Sequence, residues 1–286
     1  MAYVSYKNLP LYFGTSANSN AAPVATQALS KSVFCQQAQF NYTPNIQPTR
    51  LLGVEPSKEV FNLAGPPQAS LSFTCLVDAG EFNPNNYTGD VGDIGATFIL
   101  GDATNGIKAS GAFLTSFSYS LTPYAPVTVQ CDFAIYNPLT TTSFGGKISE
   151  APAFGWELNQ PDYSSYGHGA YSTFNGANVL SDMAVYESVQ YQYAANRLPI
   201  YEIGSYSPDV VELVTEEHTL QIQGDNIEAL VPLTGSAISQ LDIDIKNADG
   251  TSLMRSLVKG TITAENISIG AGDLARGSIT VNQILK

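Results

Sequence analysis

Slid against itself, this 286-residue chain matches its own second half, and internal repetition limits architecture before any local reading does. The run Phe40 to Gly53 (FNYTPNIQPTRLLG) lies over Tyr191 to Gly204 (YQYAANRLPIYEIG) without a gap. Tyr42 and Tyr193, Asn45 and Asn196, Pro48 and Pro199, and Gly53 and Gly204 share one offset, 151 positions (193 minus 42). Val60 and Leu63 then fall over Val211 and Val214, and Ala69 to Val77 runs beside His218 to Gln223, with apolar and polar residues alternating in both copies. Each half carries a turn of the tight-hairpin type, Asn105-Gly106 or Asp249-Gly250. Phe117 to Leu121 stands against Glu265 to Ile269, and the final strands, Val127 to Gln130 and Ile279 to Asn282, match at an offset of 152 (279 minus 127).

The length fits two domains, each large enough to bury its own core. The boundary falls in the Gly/Ser/Tyr-rich stretch between about Asn137 and Gly176, giving residues 1–150 as the first unit and 151–286 as the second. Glu81 to Asp93 has no counterpart of equal length and reads as an exposed loop, whose stretch Asn83 to Gly89 is expected to be dispensable for folding. Few stretches avoid Gly, Pro and β-branched residues long enough to sustain a helical period. One short helix per half is expected, at Ala21 to Ser32 or Ser181 to Ser188. The expected fold is all-β with minor α: two tandem antiparallel β-sandwich or half-barrel domains.

Charged residues make up only 13% of the chain, against roughly 25% in an average soluble domain. A surface so poor in charge suits packing against other protein. The balance of 12 Lys+Arg against 25 Asp+Glu leaves a net charge of −13, which offers no basic footprint to hold nucleic acid by its phosphates. Cys35, Cys75 and Cys131 are odd in number, lack metal-type spacing and sit in apolar runs, so they read as buried thiols of a reducing compartment. The N-terminus shows no basic region followed by an apolar core, and no run is long and apolar enough for a spanning helix, so neither secretion by a signal peptide nor membrane insertion is expected. Sequons at Asn41, Asn86 and Asn266 then carry no meaning.

Chemistry finds little purchase. The two histidines, His168 in a Gly-flanked loop and His218 at a strand start, are too few and too distant for a zinc site. No nucleophile elbow or cysteine signature is present. Glu216-Glu217 and the Asp242/Asp244 pair read as solvated strand carboxylates; Asp93, Asp102, Asn105, Asp225 and Asp249 lack the spacing of a calcium loop. Gly270 to Ala275 satisfies a dinucleotide fingerprint, but Gly277 to Val281 after it reads as a strand where the fingerprint needs a helix. The Tyr-rich stretch Tyr163 to Tyr171 suits an interface more than a sugar platform. No catalytic, cofactor-binding or metal-binding residue is assigned, no cofactor is expected, and the chain is read as a non-enzyme.

Acidic, β-rich composition and the C-terminal unit Gly260 to Val281 (GTITAENISIGAGDLARGSITV), a strand, a Gly-rich loop and a short final strand, resemble bacteriophage tail tube proteins and their relatives in tail hubs and injection machines. The resemblance is at the level of fold and covers the end of each half. It implies a β-sandwich with a small helix whose strands join those of neighbours around a channel, with three double-domain chains, or six chains, per stacked ring. It implies as partners other copies of the chain and sheath, tape-measure, neck or baseplate proteins, with DNA only in transit past an acidic lining and no membrane. The implied location is the virion tail, after synthesis in the host bacterial cytoplasm. The competing reading is a carbohydrate- or receptor-binding or decoration β-sandwich of the same kind of particle.

Overall fold

The structure, a computed structural model, describes residues 11–15, 31–33, 35–43, 45–49, 60–63, 65–66, 68–77, 82–89, 95–101, 106–122, 127–142, 185–225, 237–246, 252–268 and 276–285. The strands are β1 (Leu11–Thr15), β2 (Lys31–Val33), β3 (Cys35–Thr43), β4 (Ile46–Thr49), β5 (Val60–Leu63), β6 (Gln68–Leu76), β7 (Ala96–Gly101) and β8 (Gly106–Leu121). They continue as β9 (Thr128–Ile135), β10 (Thr140–Thr142), β11 (Val185–Ile200), β12 (Val210–Asp225), β13 (Ala237–Lys246), β14 (Ser252–Ser268) and β15 (Arg276–Leu285). Every pairing is antiparallel, and the fold is all-β.

Period-two alternation is what builds these strands. In β6, Leu71, Phe73 and Cys75 are buried while Ser70, Ser72 and Thr74 are only half-covered, because successive side chains leave a strand on opposite faces. Cys131, Phe133 and Ile135 do the same in β9, as do Ile243 and Ile245 in β13. The three cysteines are free, Cys75 and Cys131 buried and Cys35 half-buried. Burial lifts the Cys131 thiol well above its ordinary range, which makes it inert core.

Thirteen strands form one sheet; β4 and β5 pair apart from it. Along the sheet the order is β3-β6-β9-β8 with β7-β1-β2 beyond, and β11-β12-β15-β14-β13 leaves the far end of β8. The strand β8 serves both layers: its first half pairs with β7, its second with β9 on one side and β11 on the other. It changes partners at Ala112, beside Gly111, whose φ of 63° is a backbone state that glycine reaches without strain. In β14 the same exchange, from β13 to β15, occurs at Gly260 and Thr261, where a Cβ on Gly260 would collide with the Asn282 carbonyl. Folding over at β8 brings Phe98 of β7 onto Phe133 (ring centroids 4.8 Å apart) and Phe73 (5.7 Å). Burying each such ring contributes about 1.5–3 kcal/mol.

Strand order and register recur between the halves. The series β3-β6-β9-β8-β7 is matched by β11-β12-β15-β14-β13. Tyr42 sits opposite Ala69 and Phe40 opposite Leu71, as Tyr193 sits opposite His218 and Tyr191 opposite Leu220. The last two strands recur at an offset of 148 (262 minus 114): Leu114 faces Phe133 and Ile262 faces Val281, and each pair is followed by a bulge. The bulged Thr115 donates its hydroxyl to the Asp132 carbonyl (3.0 Å), and the bulged Thr263 donates to that of Thr280 (3.5 Å). The expected offset of 152 for the final strands is therefore four residues out, an even slip that leaves the in/out pattern intact and so escapes a reading by alternation alone. The division of the chain at residue 150 falls outside the described residues.

Two expectations need correction. The helix at Ser181 to Ser188 is absent over its described part, because Val185 to Ser188 opens β11, pairing with Asp225, Gly224 and Gln223 of β12. Lys31 and Ser32, the end of the other candidate, lie in β2, and the rest of that segment is outside the described residues. The only helical piece among the described residues is a 3-10 turn, Pro84–Tyr87, inside the loop that the second half lacks, capped by the Asn83 side chain accepting from the Asn85 N–H at 3.0 Å. That loop is not an exposed appendage. Pro84 and Tyr87 are buried, and Phe82 packs against Phe73 (5.2 Å) and Phe13 (5.2 Å), because three aromatic rings outweigh the Asn-rich composition that suggested exposure.

Candidate functional site: a seam, two free edges and an uncharged face

Where the second half joins the first, Ser116 to Leu121 of β8 pairs with Val189 to Ala194 of β11. Aromatic rings fill the core side of this seam: Tyr119 stacks on Tyr191 (5.1 Å), and Phe117 meets Tyr191 and Tyr193, both at 5.4 Å. The buried Arg197 donates through Nε to the Leu114 carbonyl at 3.1 Å and lies over the Phe113 ring, so the β8 bulge has a cation as its lid.

A buried polar cluster backs the seam. The Tyr193 hydroxyl donates to Glu216 Oε2 at 3.2 Å, the Gly89 N–H donates to the same oxygen at 3.0 Å, and the Tyr191 hydroxyl lies 2.7 Å from His218 Nδ1. With the ring proton on Nε2, which stands 3.7 Å from Glu216 Oε1, Nδ1 is free to accept from Tyr191. Burial pushes the Tyr193 phenol up to about 12 and holds His218 below its ordinary value despite the nearby carboxylate. This cluster ties the aromatic loop of the first half to β12 of the second.

Two edges mirror this seam and carry no partner strand among the described residues. One is the outer side of β3, which pairs only with β6. The other is β14 beyond Thr261, where β13 has ended and only β15 continues. Tyr42 is 48% exposed and Ile267 40% exposed, whereas the residues at the matching places of the internal seam, Tyr193 and Tyr119, are 0% and 3% exposed.

Register makes the face opposite the core unusual. Gln37, Thr74, Gln130, Ser118, Gln192, Thr219, Asn282 and Thr261 stand opposite one another in unbroken succession across eight strands, β3-β6-β9-β8-β11-β12-β15-β14. On the core side the corresponding succession is Cys35, Cys75, Val129, Tyr119, Tyr191, Leu220, Val281 and Ile262. Thr74, Gln130, Ser118, Gln190, Gln192, Thr219 and Gln221 line one open groove on the polar side. The next row adds Asp132, held by the Ser116 hydroxyl at 2.8 Å, and Glu217. This face is amide and hydroxyl in character, whereas the tail tube resemblance led us to expect acid.

Away from the sheet centre, the hairpin of β11 and β12 runs on past the seam and exposes Leu198, Ile200, Ile203, Tyr206, Val210 and Val214 near its tip. An apolar cluster of that kind marks contact with another surface.

Of the candidate chemical residues, His218 and Glu216 come together in the buried cluster, which the sequence reading treated as a strand start and a solvated carboxylate pair. Their approach to Gly89 spans the two halves, and no local pattern signals it. His168 and Tyr163 to Tyr171 lie outside the described residues. The loop holding Gly270 to Ala275 joins β14 to β15, so a strand follows it, not a helix. Among the described residues no group of three or more His, Cys, Asp or Glu is placed to hold a metal ion, and no helix is long and apolar enough to cross a membrane.

No protein-family model matches the chain, and no curated protein does. Among solved structures, a chain of "Virion of native gene transfer agent (GTA) particle" is similar at 11% identity and a TM-score of 0.36, over 49% of this chain and 100% of that one. So slight a likeness carries no argument about fold or role, and what the protein does rests on its own seam, edges and polar face.

Proposed function

We propose that this protein is a non-enzymatic virion structural protein, a tail tube subunit whose copies close into rings and stack around a channel for DNA. The observation that carries the reading is the eight-strand row of Gln, Ser, Thr and Asn on one face of a sheet whose two flanks end in unpaired strands. DNA is held by cations that neutralise phosphates and release counterions. An amide and hydroxyl lining makes no such contacts, and a net charge of −13 discourages retention elsewhere on the particle.

In this reading residues 1–150 and 151–286 are two equivalent tube units, so three chains make a pseudo-hexameric ring, or six chains a larger one. Unpaired strand edges are an aggregation liability unless a partner covers them, and ring closure removes them. The exposed apolar hairpin tip suits contact with the next ring of the stack. Other partners of this reading are the sheath, tape-measure, neck or baseplate proteins of the tail, and the protein resides in the virion after synthesis in the host cytoplasm.

Negative-stain electron microscopy of the purified protein tests this directly. Rings or stacked tubes with an open centre are the expected result. Monomers or compact trimers that bind glycans on an array would replace it with the receptor-binding reading.

A further inference from the structure

We infer that the outer edge of β3 in one copy of the chain pairs, antiparallel, with the open edge of β14 in a second copy. The register is that of the internal seam, placing Phe40 opposite Ile267 and Asn41 opposite Asn266. The inference rests on the repeated-unit reading above and adds the partner, the polarity and the register of the contact.

The internal seam supplies the template. There Tyr191 faces Tyr119 and Gln192 faces Ser118. Strand β3 repeats the pairing of β11 at an offset of 151 (191 minus 40), and β14 repeats that of β8 at 148 (267 minus 119). Carrying the seam across both offsets puts Phe40 against Ile267 on the core side and Asn41 against Asn266 on the polar side. The same register continues the uncharged row, because Asn41 and Asn266 take the places of Gln192 and Ser118.

The occupant is a second copy because each edge matches the other, and the two cannot meet within one chain. They lie on opposite flanks of the sheet, with β6, β9, β8, β11, β12 and β15 between them. Exposure points the same way: Tyr42 and Ile267 are large apolar side chains left in solvent where their seam counterparts are covered. A contact of this head-to-tail kind propagates to a closed ring or an open helix rather than stopping at a dimer. The new seam also differs from the internal one. Ala69 stands where His218 does, and Ile46 stands where Arg197 does, so it joins without a buried ionisable cluster.

Directly opposed residues of antiparallel strands lie ~4.5–5.5 Å apart at Cα, within disulfide reach. Asn41 and Asn266 are both exposed, so N41C and N266C are tolerable single changes in the full chain. Circular dichroism establishes that each variant is folded before the two are mixed and oxidised with copper phenanthroline. The expected result is a reducible covalent dimer in the mixture and none from wild type or from either variant alone. Dimer from N41C alone, or from N266C alone, overturns the inference, because like edges would then be meeting. So does absence of dimer in the mixture. If micrographs of that sample show rings, only the register and edge assignment fail; if they show none, the ring reading fails with it.

Discussion

The seam between β8 and β11 and its two unpaired counterparts, β3 and the far end of β14, are the same backbone arrangement in opposite states. In the seam a partner strand is supplied by the chain itself, so aromatic rings close over it and Arg197, Glu216 and His218 can be buried with their bonds satisfied by neighbours. At the open edges the matching places carry Ala69 and Ile46, and the apolar residues stay exposed. The difference teaches that the charged and phenolic groups belong to the permanent joint: a buried ionisable group is costly when one partner is removed, so it suits a contact that is never broken.

The harshest way to break the comparison is to remove residues 83–89, which exist only beside the internal seam. Loss of the buried Tyr87 and of the Gly89 bond to Glu216 is expected to abolish soluble folded protein, as read by expression yield and circular dichroism. Next, Tyr193→Ala is expected to cost about 3–5 kcal/mol in denaturant unfolding, because it empties a fully buried aromatic site. Glu216→Ala should cost about 2 kcal/mol by leaving the Gly89 N–H and the Tyr193 hydroxyl without their acceptor. A cycle with Tyr193→Phe isolates the share carried by the phenol, and strict additivity would show that the cluster is not a unit.

Acid should act on the internal seam alone. Burial first, opposed by Glu216, holds the folded His218 below its ordinary value of 6.5, with Tyr191 and Tyr193 also facing the ring. The unfolded chain then binds more protons, so this contribution to stability is whole above pH 6.5 and declines as pH falls through that value. Urea midpoints across that range should show the decline in wild type and a flatter profile in His218→Gln. At the small end, Tyr42→Ala is expected to leave the unfolding free energy of the monomer within about 0.5 kcal/mol, since the ring stands largely in solvent. A larger loss would mean that β3 is already covered.

Much of the fold was legible because alternation is a local property. Leu71, Phe73 and Cys75 announce a strand by themselves, and the hairpins ending at Gly101/Gly106 and Lys246/Ser252 fall where the Asn-Gly and Asp-Gly turns placed them. Alternation could not tell the final strands' true offset from one four residues away, because both put the same residues on the same face. It also misjudged the Glu81 to Asp93 loop, where Phe82 and Tyr87 are scattered among turn formers and carry no period. The expectation of an acidic lining failed for a related reason. Net charge counts every carboxylate equally, whereas the face of a sheet is chosen by register, and register gathered Gln, Ser, Thr and Asn into one row.

By itself the sequence determined the strand content, the pairing of like segments in the two halves, and which side of each strand faces inward, because these depend on neighbours two residues apart or on comparison of the chain with itself. Tertiary structure alone decided that β8 lends one half of its length to β7 and an edge to β11. It alone gathered Gly89, Tyr193, Glu216 and His218 around one buried site, and left β3 and β14 without partners. Those outcomes turn on which strand edges meet, and an edge is a row of backbone N–H and C=O groups that every residue type but proline supplies alike.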